Sequence, residues 1–170
     1  MTTNPNSQAE GAPAPTSRTI TIDNGRGERL EARLDLPAVG EPRASALVAH
    51  CFTCSKELRA LRRVAVALTE AGFAVLRLDF TGLGGSEGDF EETTFSTNVD
   101  DLLAGARCLV DEVPGPQLFV GHSLGGAAVL AAALRWPEAV AVATIAAPAA
   151  PGHLADLLEG GLEAVERDGS

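Results

Sequence analysis

Leu118-Phe119-Val120-Gly121-His122-Ser123-Leu124-Gly125-Gly126 is the stretch on which the reading of the chain turns. An apolar run ends in Gly-x-Ser-x-Gly, and an alanine-rich segment of helical character follows at once. That order predicts a strand, a sharp turn carrying Ser123, and a helix over residues 124–135. A serine held on so tight a turn needs neighbours without bulk two residues away, and Gly121 and Gly125 supply that space. Its Oγ then stands clear of the strand end, and the free N–H groups of the following helix face any negative charge that develops there. The competing reading is a glycine-rich turn with an incidental serine. A strand before it and a helix after it, each in its required place, weigh against that.

Strand and helix patterns alternate on both sides of this turn. Residues 1–17 carry almost no apolar bulk and read as a disordered lead-in. Residues 19–22 and 30–36 flank Asp23-Asn24-Gly25-Arg26-Gly27 and read as a hairpin. Residues 44–49 form a short apolar run of the kind buried on both faces. Leu58, Leu61, Val64, Ala65 and Leu68 recur at helical spacing, which predicts a helix over 55–71 with Ser55 as N-cap and Gly72 as its stop. Arg59, Arg62 and Arg63 read as its wet face. Residues 73–78 are the next strand, running into the loop Asp79-Phe80-Thr81-Gly82-Leu83-Gly84-Gly85-Ser86. The last glycine of a dinucleotide fingerprint would fall on Glu87, so this loop reads as a tight turn beside the mouth of a site. Val99, Leu102, Leu103, Ala106, Leu109 and Val110 mark a second helix over 95–113, and 140–145 is a last β-branched strand.

Two hairpin strands and four later ones, alternating with helices, predict an α/β fold: a mostly parallel sheet with an N-terminal antiparallel hairpin and helices on both faces. Residues 18–150 make up this core. The pattern changes over 151–170, where Leu154, Leu157, Leu158, Leu162 and Val165 line one side of an acidic amphipathic helix. That segment reads as the start of a cap or as an interaction tail.

Composition narrows the class without supplying chemistry. Thirteen basic and twenty-three acidic residues leave a net charge of −10 over 170 residues, which argues against nucleic acid or an anionic membrane as partner. No apolar run approaches the roughly 18–20 residues of a membrane span. Three cysteines and no export signal predict reduced thiols in a cytoplasmic protein. No cofactor and no metal are expected.

His50-Cys51-Phe52-Thr53 follows the third strand directly. Acyl transfer at Ser123 needs two N–H donors for the tetrahedral oxyanion, one on the residue after the serine and one from this loop. Leu124 and Phe52 are the candidates, each donor being worth about 3 kcal/mol to the intermediate. Cys51 and Cys54 also make a Cys-x-x-Cys pair between a strand and a helix, where a thiol-redox couple would sit. A metal site there is disfavoured by the lack of further soft ligands.

With these three loops in hand, the chain resembles the α/β-hydrolase superfamily, the 79–86 loop carrying Thr81 and Leu83 where that superfamily has Arg and His. More closely, His50-Cys51-Phe52-Thr53-Cys54-Ser55-Lys56, residues 79–89 and residues 121–126 are similar to the hydrolase half of bacterial proteins that join an α/β-hydrolase to an OsmC-like domain. The resemblance covers residues 20–166 and implies Ser123 as nucleophile, Phe52 and Leu124 as oxyanion donors, and ester- or amide-like small molecules as substrates of an esterase or aminopeptidase-like serine hydrolase. In that superfamily an acid and then a histidine follow the serine after later strands. No such strands follow here.

The general base is therefore the open question. His50 begins the oxyanion loop and reads as a structural hydrogen bonder, and His122 as a packed neighbour of the serine. His153 is the only histidine after Ser123. It is the candidate base within the chain, against a solvated helix-start histidine. The expectation is the N-terminal portion of a larger hydrolase, with a sheet edge to be covered by a further segment or by another copy. A non-catalytic binding module on the same core is the rival.

Overall fold

The computed structural model describes residues 15–52, 54–113 and 117–148. In chain order the elements are β1 (Thr16–Asp23), β2 (Arg29–Leu36), β3 (Ala44–Ala49), α1 (Arg59–Glu70), β4 (Phe73–Leu78), α2 (Phe95–Glu112), β5 (Gln117–His122), α3 (Leu124–Ala133) and β6 (Ala139–Ile145). A 3₁₀ turn at Phe90–Glu92 precedes α2. The six strands form one sheet in the order β1-β2-β4-β3-β5-β6. β1 and β2 pair antiparallel, as do β2 and β4, and the remaining pairs are parallel. This is the α/β sheet with an N-terminal hairpin that the alternating pattern predicts.

Side chains along a strand alternate between faces, and each face is closed by helices. Ala46 and Val48 of β3, Val75 of β4 and Val120 of β5 pack with Leu61 and Ala65 of α1. Their neighbours Leu47, Leu76, Leu78 and Phe119 point the other way, into a larger core with α2 and α3. Small residues bring α3 close: Ala127, Ala128 and Ala132 are buried, and a Cβ on Gly126 would lie 2.7 Å from the Ala147 methyl. β6 is the outer strand beside β5, and from Val140 to Ile145 it is exposed, with Val140 at 69%. Among the described residues no helix is long and apolar enough to cross a membrane.

Two boundaries differ from expectation. β1 begins at Thr16, inside the stretch that reads as a lead-in, because Thr16 and Ser17 find register partners in Leu36 and Asp35. α1 begins at Arg59, four residues after the expected cap, and Leu58 has extended backbone at φ −52°, ψ 122°. The cause is tertiary: Lys56 is drawn out of helical register onto Asp79, and Ser55 instead closes a turn by accepting from the Glu57 and Leu58 amides. The remainder of the lead-in and the 151–170 segment lie outside the described residues.

Candidate active site

β3 and β5 are parallel neighbours, with Ala49 opposite Gly121. The loops leaving their C-terminal ends, one beginning at His50 and the other carrying Ser123, therefore meet at one edge of the sheet, the edge where open α/β sheets place their ligands. Ser123 adopts φ 53°, ψ −123°, a left-handed conformation that costs a residue with a side chain on the order of 1–3 kcal/mol. Hydrogen bonds on both sides hold it there. Its N–H donates to the Ile145 carbonyl at 2.9 Å, and its own carbonyl accepts from Gly126 and Ala127 at 2.9 and 3.2 Å.

The flanking glycines have no room for side chains. A Cβ on Gly121 would stand 2.3 Å from the Gly125 carbonyl oxygen, and one on Gly125 would stand 2.2 Å from that of His50. The second contact seats the first turn of α3 directly on the loop that leads to Phe52. Leu124 is the first residue of α3, and among the described residues no backbone carbonyl accepts from its N–H or from that of Phe52. The Phe52 ring is 38% exposed and meets Phe90 edge-on at 4.9 Å between centroids.

His50 is fully buried and joins two loops. Its Nδ1–H donates to the Cys51 carbonyl at 2.7 Å, which leaves Nε2 to accept from the Phe80 amide at 3.3 Å. Burial, joined by the Lys56 charge, pulls its pKa below the ordinary imidazole value against the opposing influence of the Cys51 carbonyl and Asp79. A neutral, doubly bonded imidazole with no exposure is a structural element, as its place in the sequence suggests. His122 ends β5 partly exposed, and its Nδ1 has no partner among the described residues. His153 lies outside them.

Behind these loops lies an ionic cluster that the motifs quoted above do not single out. Lys56 Nζ donates to Asp79 Oδ2 and Glu31 Oε1, each at 2.6 Å, and Asp79 also accepts from the Lys56 and Gly85 amides. Asp79 is fully buried and Lys56 nearly so. Burial acts most strongly on Lys56 and lowers its pKa, but the bonds and charges of Asp79 and Glu31 together outweigh it, so the net shift is upward. A Cβ on Gly84, at φ +57°, would fall 2.0 Å from Asp79 Oδ2, so the glycine-rich loop is a lid over a carboxylate. Asp79 follows β4 as His50 follows the neighbouring β3, and Ala49 and Leu78 are register partners. An aspartate directly after an apolar strand and just before a run of glycines is the mark that could have found it.

The expectation of reduced thiols is overturned: Cys51 and Cys54 form a disulfide. The chain reverses tightly there, bringing the two Cα atoms to 5.4 Å, within bridging reach. Cys108 is free, and burial raises its thiol pKa.

Known proteins resemble the chain in sequence and in fold. Residues 40–165 match the family described as serine aminopeptidase, S33. The chain is 52% identical to the esterase domain of a Rhodothermus marinus protein, with a TM-score of 0.66 over 81% of this chain and 55% of that one. It is 30% identical to an α/β serine hydrolase without lid from Xanthomonas campestris, with a TM-score of 0.71 over 79% of this chain and 63% of the other. It is also 44% identical over 69 residues to the human mitochondrial palmitoyl-protein thioesterase ABHD10, a match covering 41% of this chain and 22% of the relative. The chain thus spans between about a fifth and two thirds of the length of these relatives. A six-stranded sheet, a serine strained at the end of its fifth strand, and a family match that takes in both loops lead to one assignment: the chain belongs to the serine aminopeptidase (S33) family and carries the α/β-hydrolase fold.

Proposed function

We propose that these residues form the nucleophile and oxyanion half of a serine hydrolase acting on ester, thioester or amide bonds of small acyl substrates. Ser123 Oγ attacks the acyl carbonyl, and the Phe52 and Leu124 amides receive the oxyanion. The proton taken from Ser123 passes to a base outside the described residues, with His153 the candidate within the chain. The observation that carries the reading is Ser123 at φ 53° between two glycines that cannot accept a Cβ. Strain of that kind persists only where the surroundings impose it, and here it presents a hydroxyl at the mouth formed by two loops. The thioester possibility comes from the ABHD10 relative, and the ester possibility from the Rhodothermus domain.

The test is labelling of the 170-residue chain with a fluorophosphonate, alongside hydrolysis of p-nitrophenyl esters and an acyl thioester. Labelling is expected at Ser123 and is expected to vanish in Ser123→Ala. His153→Ala is expected to slow labelling by about 10⁴- to 10⁶-fold, the scale of losing a triad member. An unchanged rate would place the base elsewhere. A chain that never labels leaves two readings standing, a portion of a hydrolase whose base is supplied by a further segment and a binding module on the hydrolase core.

A further inference from the structure

The Cys51–Cys54 disulfide closes a small ring around Phe52, the residue whose amide the preceding reading assigns to the oxyanion. What holds this ring differs from what holds its ends. At the N-terminal end, His50 is fully buried and bonded to Cys51 and Phe80. At the C-terminal end, the Lys56 amide and ammonium are both fixed on the buried Asp79. Between these anchors, the only hydrogen bond inside the ring among the described residues is Cys54 N–H to the Cys51 carbonyl, at 3.3 Å. Among the described residues the position of Phe52 is thus restrained by the covalent bridge and by its edge-on contact with Phe90, and breaking the bridge leaves both anchors in place.

The bridge is also within reach of solvent. Cys51 and Cys54 are both partly exposed, and Cys54 lines an open hollow of about 480 Å³ with Ser55, Leu58 and residues 82–84 of the glycine loop. The third cysteine sits on α2, and its raised pKa leaves it little thiolate to compete.

We infer that Cys51–Cys54 is a thiol–disulfide exchange site, with a dithiol as co-reactant, and that its oxidation state sets the position of the Phe52 amide. The consequence for catalysis rests on the oxyanion role proposed above. In the forward direction a thiolate of the dithiol attacks Cys54 Sγ, the S–S bond breaks, and Cys51 leaves as a thiolate that takes a proton. The second thiol of the reductant, deprotonated, then attacks its own sulfur in the mixed disulfide. Cys54 is released and protonated. Two electrons pass to the pair, and the dithiol becomes a cyclic disulfide. The oxidised form of the same couple drives the reverse reaction.

The experiment equilibrates the 170-residue chain, without denaturant, in mixtures of reduced and oxidised dithiothreitol. Alkylation and mass analysis count the thiols, and amide hydrogen exchange follows the peptide containing Phe52. Reduction is expected to expose Cys51 and Cys54 together with the circular dichroism spectrum unchanged. The Phe52 peptide is expected to exchange several-fold faster, while β3 and α1 peptides keep their rates. Cys51→Ser with Cys54→Ser is expected to show the fast rate and no response to dithiothreitol. A bridge that opens only in denaturant, or a Phe52 peptide that exchanges equally in both states, overturns the inference. Fluorophosphonate labelling of Ser123 is expected to slow several-fold on reduction, and equal rates in the two states would overturn the control of Phe52. Should Ser123 fail to label in either state, the chain by itself lacks the proposed activity, while thiol counting and exchange still decide the redox site.

Discussion

At Ser123 backbone strain and the proposed nucleophile fall on one residue. Its left-handed backbone is the conformation that glycine accepts without penalty. Ser123→Gly is accordingly expected to raise the unfolding free energy by about 1 kcal/mol while abolishing fluorophosphonate labelling. Urea denaturation with an unchanged m-value checks the first outcome, and a destabilised glycine variant would show that the conformation carries no strain. Lys56 presents the opposite case. Replacing it with Met leaves Asp79 buried with only amide donors, and removing one partner of a buried ion pair costs about 3–5 kcal/mol. Lys56→Met is expected to lower the unfolding free energy obtained from urea denaturation by an amount on that scale, whereas a change below about 1 kcal/mol, the range of exposed pairs, would mean water reaches the carboxylate.

At the scale of elements, the site depends on how closely α3 approaches the loop after β3. The Gly125 contact with the His50 carbonyl sets that distance. Gly125→Ala is expected to push the first turn of α3 away, separating Leu124 from Phe52, and to slow Ser123 labelling by about 10²-fold, as expected for a misplacement of about 1 Å. Circular dichroism distinguishes this local shift from unfolding. The elbow elements were legible beforehand because an apolar run, a Gly-x-Ser-x-Gly turn and an alanine-rich helix are local patterns. The start of α1 was not. Ser55 has the chemistry of a cap, yet the bond that moves the helix start to Arg59 is made to Asp79, in the loop that follows β4.

Across the whole molecule, His50 ties the two central strand ends together and makes stability depend on pH. Its folded pKa lies below the unfolded value of 6.5, so the unfolded chain binds the extra proton in acid. Its contribution is therefore fully present above about pH 6.5 and is lost as pH falls from there through the depressed folded value. The slope approaches at most about 1.4 kcal/mol per pH unit, one proton's worth. Denaturation midpoints taken between pH 8 and pH 5 (roughly the range that brackets imidazole titration) should fall on the acid side in the parent. They should fall less in His50→Gln, and parallel profiles would remove His50 as the cause.

The amino-acid sequence by itself determined the alternation of strands and helices, the hairpin, the position of Ser123 and the glycines beside it. Each of these follows from side-chain periodicity or from backbone space within a few residues. Tertiary structure alone decided that Lys56 and Asp79 pair beneath the glycine loop, that His50 is a neutral tie between strand ends, and that Cys51 and Cys54 join around Phe52. Two of these rest on β3 and β4 lying side by side, and strand order is invisible in a linear pattern. The third depends on a chain reversal between two anchored ends, which spacing permits and only the fold imposes.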